Sequence, residues 1–210
     1  MSSKLIEIEH PLIEHKLAFL RDKQTDSDEF RRIMIELTKF LAFEATKDLQ
    51  LATDEIETPM GKATVKKIQD PPVIVSIMRA GNGMIDSMLT LLPFCSAGHI
   101  GIYRDKFINN TVEYYFKLPE NVKGKEILLV DPLLATGDTA IASIDRLKQY
   151  EVGRIKLLTV LTCKAGVERL HHFHPDVDIY TLSSKEELNE KGYLIPGLGD
   201  AGDRLFRTTS

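Results

Sequence analysis

Short apolar runs alternate with segments of helical periodicity along most of the chain. Each apolar run has the length and composition of a buried strand. These runs cover residues 73–78, 99–103, 127–130, 155–161 and 177–181. Segments with apolar residues at helical spacing lie at 84–92, 139–150 and 165–172. Strands that alternate with helices favour an α/β fold, in which a mostly parallel sheet is flanked by helices on both faces.

The amino-terminal part of the chain has a different, more continuously helical pattern. Pro11 precedes an apolar-periodic segment that predicts a first helix. Asp26 or Ser27 is suited to cap a longer second helix, which the periodicity extends to about Leu51. We expect these helices to pack against the rest of the fold through their apolar faces.

A β-hairpin is predicted after these helices. Residues 56–68 alternate between apolar and polar types around Pro59-Met60-Gly61, which is typical of a turn. The length of the chain suits one domain, with an amino-terminal arm that includes the hairpin (1–70), an α/β core (71–185) and a tail (186–210). The glycine-rich tail is expected to be an ordered loop.

Composition and charge narrow the classes of function. The chain has 210 residues, a formal net charge of -4 and a pI of about 5.9, without a dense run of Lys and Arg. Such a chain is not expected to bind nucleic acid, although a small anion held by a few cations fits it. No apolar run reaches the ~18 residues that span a bilayer, and the first residues do not resemble a secretory signal. We therefore expect a cytoplasmic protein that does not enter a membrane.

The most informative loop lies between residues 131 and 139. A buried strand ends in Asp131, and small and hydroxyl residues lead from it into a helix at Thr139. Such a loop can direct backbone N–H groups and the hydroxyls of Thr136 and Thr139 toward a phosphate. The positive end of the helix adds to the attraction. Asp131 would then accept hydrogen bonds from sugar hydroxyls. An Asp-Pro turn with an ordinary helix cap is the alternative interpretation.

Two further strand ends carry an arginine. Arg79 precedes Ala80-Gly81-Asn82-Gly83, whose glycines let the backbone approach an anion closely. Arg104 directly follows another strand and precedes Asp105-Lys106. Either arginine alone is compatible with a surface ion pair or a solvated charge cluster. Two of them beside a phosphate loop strengthen the prediction of an anion site, because ligands of open α/β sheets bind at the carboxyl ends of the strands.

These residues resemble the uracil phosphoribosyltransferase family, and the resemblance covers almost the whole chain. It rests on the motifs His10-Pro11-Leu12 with Leu20-Arg21-Asp22, Met78-Arg79-Ala80-Gly81, Ile100-Gly101-Ile102-Tyr103-Arg104-Asp105, Val130-Asp131-Pro132 with Leu134-Ala135-Thr136-Gly137, and residues 192–204. The last motif is the most specific, because it separates uracil enzymes from other phosphoribosyltransferases. The resemblance implies a type I phosphoribosyltransferase-like fold with N-terminal helices and a C-terminal base-binding tail.

The resemblance also implies a reaction and a set of site residues. The expected reaction transfers phosphoribosyl from 5-phospho-α-D-ribose 1-diphosphate (PRPP) to uracil, which gives UMP and diphosphate in pyrimidine salvage. The implied catalytic residues are Arg79, Arg104 and Asp200. The implied PRPP-binding residues are these three with Asp131, Pro132, Leu133, Leu134, Ala135, Thr136, Gly137, Asp138 and Thr139. The implied uracil-binding residues are Leu194, Gly199, Asp200 and Ala201.

The same resemblance implies Mg²⁺ held mainly by substrate oxygens and a homo-oligomer, at least a dimer, and it leaves activation by GTP open. Two other classes of function stay open. One is a regulator with the same fold that binds RNA, against which the acidic pI argues. The other is an enzyme for another nucleobase. Orotate would need an added cation in the base pocket, from Arg204 or Arg207 turned inward.

One departure from the family's pattern falls in the phosphate loop. The family usually has Gly-Gly-Ser after Ala-Thr, whereas this chain has Gly137-Asp138-Thr139. Thr139 keeps the hydroxyl group. Asp138 adds a negative charge near the expected phosphate, so we expect its side chain to point away from that phosphate.

Overall fold

The computed structural model describes residues 3–105 and 110–208 of the chain. The side chains of Arg104, Asp105 and Asn110 lie outside this description. Within these two ranges, no helix combines the length and the apolar character that crossing a membrane requires.

A mixed sheet forms the centre of the described structure. Its strands are β1 (Leu5–Glu7), β4 (Val73–Met78), β5 (Ser96–Asp105), β6 (Asn110–Lys117), β7 (Ile127–Val130), β8 (Leu133–Leu134), β9 (Ile155–Cys163), β10 (Asp178–Leu188) and β11 (Leu194–Ile195), while β2 (Leu51–Thr58) and β3 (Gly61–Ile68) form a separate hairpin. The main path runs β1-β10-β9-β7-β4-β5-β6, with β8 beside β9 and β11 beside β10. Only the pairs β5–β6 and β10–β11 of this sheet are antiparallel in the described ranges. The predicted α/β class with a mostly parallel sheet is confirmed.

Helices cover both faces of this sheet. They are α1 (Pro11–Arg21), α2 (Ser27–Ala45), α3 (Asn82–Leu91), α4 (Asp138–Lys148), α5 (Lys164–Phe173) and α6 (Ala201–Phe206). Alternate strand residues enter two different cores. Ile74 and Leu128 pack with residues of α1, α2 and α3, whereas Val75 and Leu129 pack with residues of α4 and α5. Burial on both faces explains why the central strands are continuous apolar runs in the sequence.

The starts of the two amino-terminal helices agree with the sequence. Pro11 is the first residue of α1, where its missing N–H costs nothing. Asp26 is the N-cap of α2, and its carboxylate accepts hydrogen bonds from the amides of Asp28 and Glu29 at 3.0 and 2.9 Å. Asp26 rather than Ser27 therefore supplies the predicted cap.

The predicted end of the second helix, at about Leu51, is wrong. α2 ends at Ala45, and Leu51 already begins β2. The Thr46 hydroxyl donates to the Ala42 carbonyl at 2.8 Å, a side-chain bond that competes with continuation of the helix. Asp48 then turns toward the sheet to bind Lys156.

The tail is more regular than the sequence indicated. It was expected to be a loop, but β11 pairs with β10, and α6 closes the described chain. The core strand β10 continues to Leu188, and β1 joins the sheet from within the amino-terminal arm. The arm, core and tail are thus joined through one sheet.

Candidate functional site

The candidate site lies at the carboxyl ends of β4 and β7, near the middle of the sheet. From β4 the chain continues to β5 on one side, whereas β7 lies on the other side of β4. Such a reversal of strand order opens a crevice between the two loops, and ligands of open α/β sheets bind there. Arg79 directly follows β4 and Asp131 directly follows β7, so the two predicted loops border the same crevice.

The loop that follows β7 forms a small cradle. It passes through β8 and reaches Gly137, which has a left-handed φ of 84° and is the N-cap of α4. A cavity of about 100 Å³ is lined by Asp131 and residues 133–140. Because α4 begins at this cavity, the first-turn amides that have no acceptor within the helix, together with the positive end of the helix, suit an anion.

A carboxylate lies inside this cradle. One oxygen of Asp138 is 2.5 Å from Nη2 of Arg169 on α5. The other oxygen accepts a hydrogen bond of 3.1 Å from the Thr136 hydroxyl. The cradle therefore contains an ion pair, and sequence reasoning had assigned no role to Arg169.

Polar contacts of a buried strand residue hold the loop that follows β4 in place. The hydroxyl of Ser76, a fully buried residue of β4, donates to Oδ1 of Asn82 at 2.8 Å. The same hydroxyl lies 2.8 Å from Nδ1 of His99 on β5. These contacts tie the first residue of α3 to two neighbouring strands, so the Arg79 loop rests on a fixed base.

The carboxyl-terminal tail packs directly on the Arg79 loop. Nη2 of Arg79 lies 3.2 Å from the Asp203 carboxylate, and Nη1 donates to the Thr208 hydroxyl at 3.2 Å. The helix α6 also passes so close to Gly83 that a Cβ there would lie 2.6 Å from Cδ1 of Leu205. A larger side chain at Gly83 would push the tail away from the crevice.

The tail also reaches the phosphate cradle. A Cβ at Gly192 would lie 3.2 Å from Cγ2 of Thr136. Asp200 caps α6 by accepting a hydrogen bond of 2.9 Å from the Asp203 amide. Burial raises the pKa of Asp131 to about 7, although a hydrogen bond from the Leu133 amide lowers it. The negative charge of Asp200 adds to the increase. Facing carboxylates of this kind are common where a ligand binds.

The predicted uracil-binding residues lie in the turns of the tail around Asp200. Leu194 is buried in β11, opposite Leu188 of β10. Gly199 has a φ of 81°, and Ala201 is the buried first residue of α6. The side chains of these residues carry no polar groups, so a base bound here would be read by the main chain.

An ion pair and hydrogen bonds that sequence reasoning missed hold this tail in place. Arg21 of α1 binds both carboxylate oxygens of Glu186, at 2.6 and 3.0 Å, and donates to the Gly197 carbonyl at 3.0 Å. The Gly197 amide donates to Glu186 at 2.7 Å. Burial opposes ionisation of Glu186, but these bonds outweigh it, and the pKa of Glu186 lies below its ordinary value.

Arg204 is a second anchor of the tail. Its guanidinium lies 4.3 Å from the ring centre of Phe30. It donates to the carbonyl oxygens of Leu20, Asp22, Thr25 and Leu198. Arg207 lies 3.4 Å from the carboxylate of Asp28. Arg204 is therefore engaged by carbonyl oxygens of the chain, and Arg207 lies beside a carboxylate, so both cations that orotate would require already have partners. The family motifs, which include Arg21 and Arg204, were the only signal of these anchors in the sequence.

Most of the predicted site residues meet at this crevice. Arg79, the loop 131–139, Asp200 and the tail turns surround it, as the preceding contacts describe. The backbone of Arg104 belongs to β5, opposite Thr111, but its side chain lies outside the described residues, and its role stays a prediction. The described residues contain no group of three or more potential metal ligands. Two facing carboxylates nevertheless fit Mg²⁺, which commonly uses one or two carboxylates together with substrate phosphates.

The same architecture occurs in solved structures. An adenine phosphoribosyltransferase from Leishmania donovani shares the fold, with a TM-score of 0.58 over 90% of this chain and 86% of that one, at 14% identity. A solved protein of Aquifex aeolicus has a TM-score of 0.92 and 32% identity, over 98% of this chain and 99% of that one. Together with the crevice between β4 and β7, this fold defines the chain as a type I phosphoribosyltransferase-like protein.

The family model described as "Uracil phosphoribosyltransferase" matches residues 7–208, and the chain belongs to that family. A relative named uracil phosphoribosyltransferase from Polaromonas naphthalenivorans is 49% identical over 96% of this chain and 97% of its own length. A relative of the same name from Halalkalibacterium halodurans is 48% identical over 98% of this chain and 99% of its own length. The resemblance seen in the sequence motifs is confirmed.

Proposed function

We propose that the protein transfers the phosphoribosyl group of PRPP to uracil and forms UMP and diphosphate. The observation that carries this proposal is the convergence of three distant segments. Arg79, the cradle beginning at Asp131 and the tail with Asp200 border one crevice. The sizes and charges of these parts suit a diphosphate, a ribose 5-phosphate and a neutral base, in that order. Membership of the family supports the same reaction.

The reaction displaces diphosphate from the anomeric carbon of the ribose. N1 of uracil forms the new bond to this carbon, the bond from the carbon to the diphosphate oxygen breaks, and the N1 proton is lost to solvent or diphosphate. Arg79 and Arg104 would stabilise the negative charge that develops on the leaving group. The amides and hydroxyls from Thr136 to Thr139 would hold the 5-phosphate, and Asp131 the ribose hydroxyls. No covalent enzyme intermediate is needed.

The base would be selected by the main chain of the tail. Uracil presents alternating hydrogen-bond donors and acceptors, which the backbone groups at Leu194, Gly199 and Ala201 can match. Asp200 caps α6 among these turns and its charge acts on Asp131, so it would contact both ligands. Arg204 is occupied by carbonyl oxygens of the chain, which favours a neutral base over an anionic one.

We further propose Mg²⁺ as the cofactor, bound mainly by oxygens of PRPP. Asp131 and Asp200 are the protein carboxylates that would face it. When bound, the ion would neutralise part of the diphosphate charge and assist its departure. Activity lost with a chelator and restored by Mg²⁺ would support this assignment, and full activity in the chelator would contradict it.

We also propose that the protein works as a homo-oligomer in the cytoplasm. The β2–β3 hairpin pairs only with itself in the described ranges, and Met60 at its tip is 95% exposed. Phe43 on α2 is 68% exposed, so apolar surface is available to a second copy. Light scattering on the purified protein would give its mass in solution, and cell fractionation would give its location.

Activation by GTP is tested by adding GTP to the assay of UMP formation from uracil and PRPP.

A substrate panel tests the proposed reaction. The purified protein is supplied with PRPP and Mg²⁺, and uracil is compared with cytosine, orotate, adenine and hypoxanthine. We expect UMP and an equal amount of diphosphate from uracil, and little product from the other bases. Efficient use of orotate or a purine would contradict the proposed base specificity. Tight, salt-dependent RNA binding without any transfer would favour the regulator instead.

A further inference from the structure

An ion pair joins α4 to α5 beside the phosphate cradle. Asp138 is the first residue of α4, and its carboxylate lies 2.5 Å from the guanidinium of Arg169 on α5. The side chain of Asp138 is 14% exposed and that of Arg169 is 49% exposed, so the carboxylate is the more buried partner. The first turn of α5 packs tightly under the cradle, because a Cβ at Gly166 would overlap the Ala135 carbonyl. This close packing brings Arg169, one turn further along α5, within reach of Asp138.

The Asp138 carboxylate competes for the same groups that would bind a phosphate. It accepts a hydrogen bond from the Thr136 hydroxyl, and both residues line the cavity of about 100 Å³. A carboxylate next to a bound phosphate raises the free energy of the complex unless a cation offsets its charge. Arg169 is the cation that contacts Asp138 among the described ion pairs.

We propose that Arg169 is a positioning residue for the 5-phosphate of PRPP. It draws the Asp138 carboxylate toward α5 and offsets its charge, so that a phosphate can displace this carboxylate from the Thr136 hydroxyl and bind at the start of α4. This inference rests on the proposed function, since it assigns the cradle to the 5-phosphate. The competing explanation is purely structural: an acidic residue in the first turn stabilises α4, and Arg169 only adds a surface ion pair.

Steady-state kinetics at saturating uracil separate the two explanations. For Arg169→Ala we expect the KM for PRPP to rise roughly tenfold, because Asp138 repels the phosphate more strongly once the Arg169 charge is gone, while kcat changes much less. Arg169→Lys keeps the charge and should restore most of the affinity. The double variant Asp138→Asn with Arg169→Ala should match Asp138→Asn alone, since no charge is left to offset. Calorimetric binding of ribose 5-phosphate should follow the same order.

Lys164→Ala is the matched control, because it removes a positive charge from the same helix where the side chain is 87% exposed. Its KM for PRPP should equal that of the wild type. An Arg169→Ala protein that melts normally and has an unchanged KM would overturn the inference, and so would a double variant as impaired as Arg169→Ala. If the wild type binds ribose 5-phosphate more tightly than Arg169→Ala does but forms no UMP from uracil and PRPP, the proposed reaction is wrong and this inference stands.

Discussion

Charged side chains lie at both ends of the parallel strands of the central sheet, but their partners differ. We call the side where these strands begin the amino edge and the side where they end the carboxyl edge. At the amino edge, the Lys156 ammonium is fully buried and lies 2.5 Å from Asp48 and 3.0 Å from Glu126. The contact with Glu126 is an ion pair without hydrogen-bond geometry. At the carboxyl edge, Asp131 and Asp200 act on each other, and no described cation forms an ion pair with either. The buried cation at the amino edge thus has carboxylate partners, whereas the two carboxylates at the carboxyl edge have no cation partner among the described ion pairs.

This difference separates a charge cluster that stabilises the fold from one that serves a ligand. A buried charge without a partner is expensive, and the carboxylates around Lys156 offset that cost in the folded protein. Burial raises the pKa of Asp131 and the charge of Asp200 adds to this increase, so the ionised form of Asp131 opposes folding of the empty protein. Substrate hydroxyls and a cation would relieve that repulsion. The same type of side chain thus indicates structure at one edge and function at the other.

The largest expected effect is on stability, at the amino edge. Lys156→Met should lower the free energy of unfolding by about 2–3 kcal/mol, because the Ala45 carbonyl loses its buried donor and the partly exposed Asp48 and Glu126 lose their cation. Denaturant titration measures this loss. Lys67→Met is the matched control, because Lys67 pairs with Asp54 at the surface, where both side chains are about half exposed, and its cost should stay below about 1 kcal/mol. Equal losses for the two variants would contradict a special role for the buried cluster.

The next effect is on activity, at the carboxyl edge. Arg79→Ala should lower kcat/KM for PRPP by about 10²-fold or more, the usual loss when a preorganised charge donor is removed, while the melting temperature stays close to that of the wild type. Arg104→Ala should behave alike, and Arg79→Lys should fall between, since lysine keeps the charge but lacks the planar fork. Lys164→Ala serves as the control for a lost surface cation. An unchanged kcat/KM in Arg79→Ala would show that Arg79 does not stabilise the leaving group.

The third effect concerns pH. Because the pKa of Asp131 is about 7 in the folded protein and its ordinary value is 3.8, the folded state holds this proton more tightly. The contribution of Asp131 to the stability of the wild type should therefore fall as pH rises from about 4 to 7. Asp131→Asn lacks this penalty, so between pH 5 and 8 it should gain on the order of 2 kcal/mol relative to the wild type, while losing activity.

Denaturant titration at several pH values follows this gain. Asp70→Asn, which changes a carboxylate that is 60% exposed, should show no such trend. A constant difference between the wild type and Asp131→Asn across this range would mean that Asp131 is ionised throughout. The comparison of the two edges would then lose its electrostatic basis.

The central strands and loops could be predicted, whereas the long-range partners could not. β4 and β7 are buried on both faces, so their apolar runs mark them, and the residues that end them point to the crevice. β1 has only three residues and a mixed pattern, so no periodicity reveals it. Arg21 and Glu186 lie 165 positions apart, and no local spacing connects them. The family motifs supplied part of what periodicity could not.

The anchoring of the tail has a consequence for how the enzyme is made. Arg204 binds the Leu20 carbonyl, 184 positions earlier in the chain, and Arg21 holds the turn at Gly197. The tail that borders the crevice is thus synthesised long after the residues that hold it. A nascent chain can fold the loop 131–139 before the turns around Asp200 exist. The crevice is therefore completed only when the tail docks on residues at the end of α1.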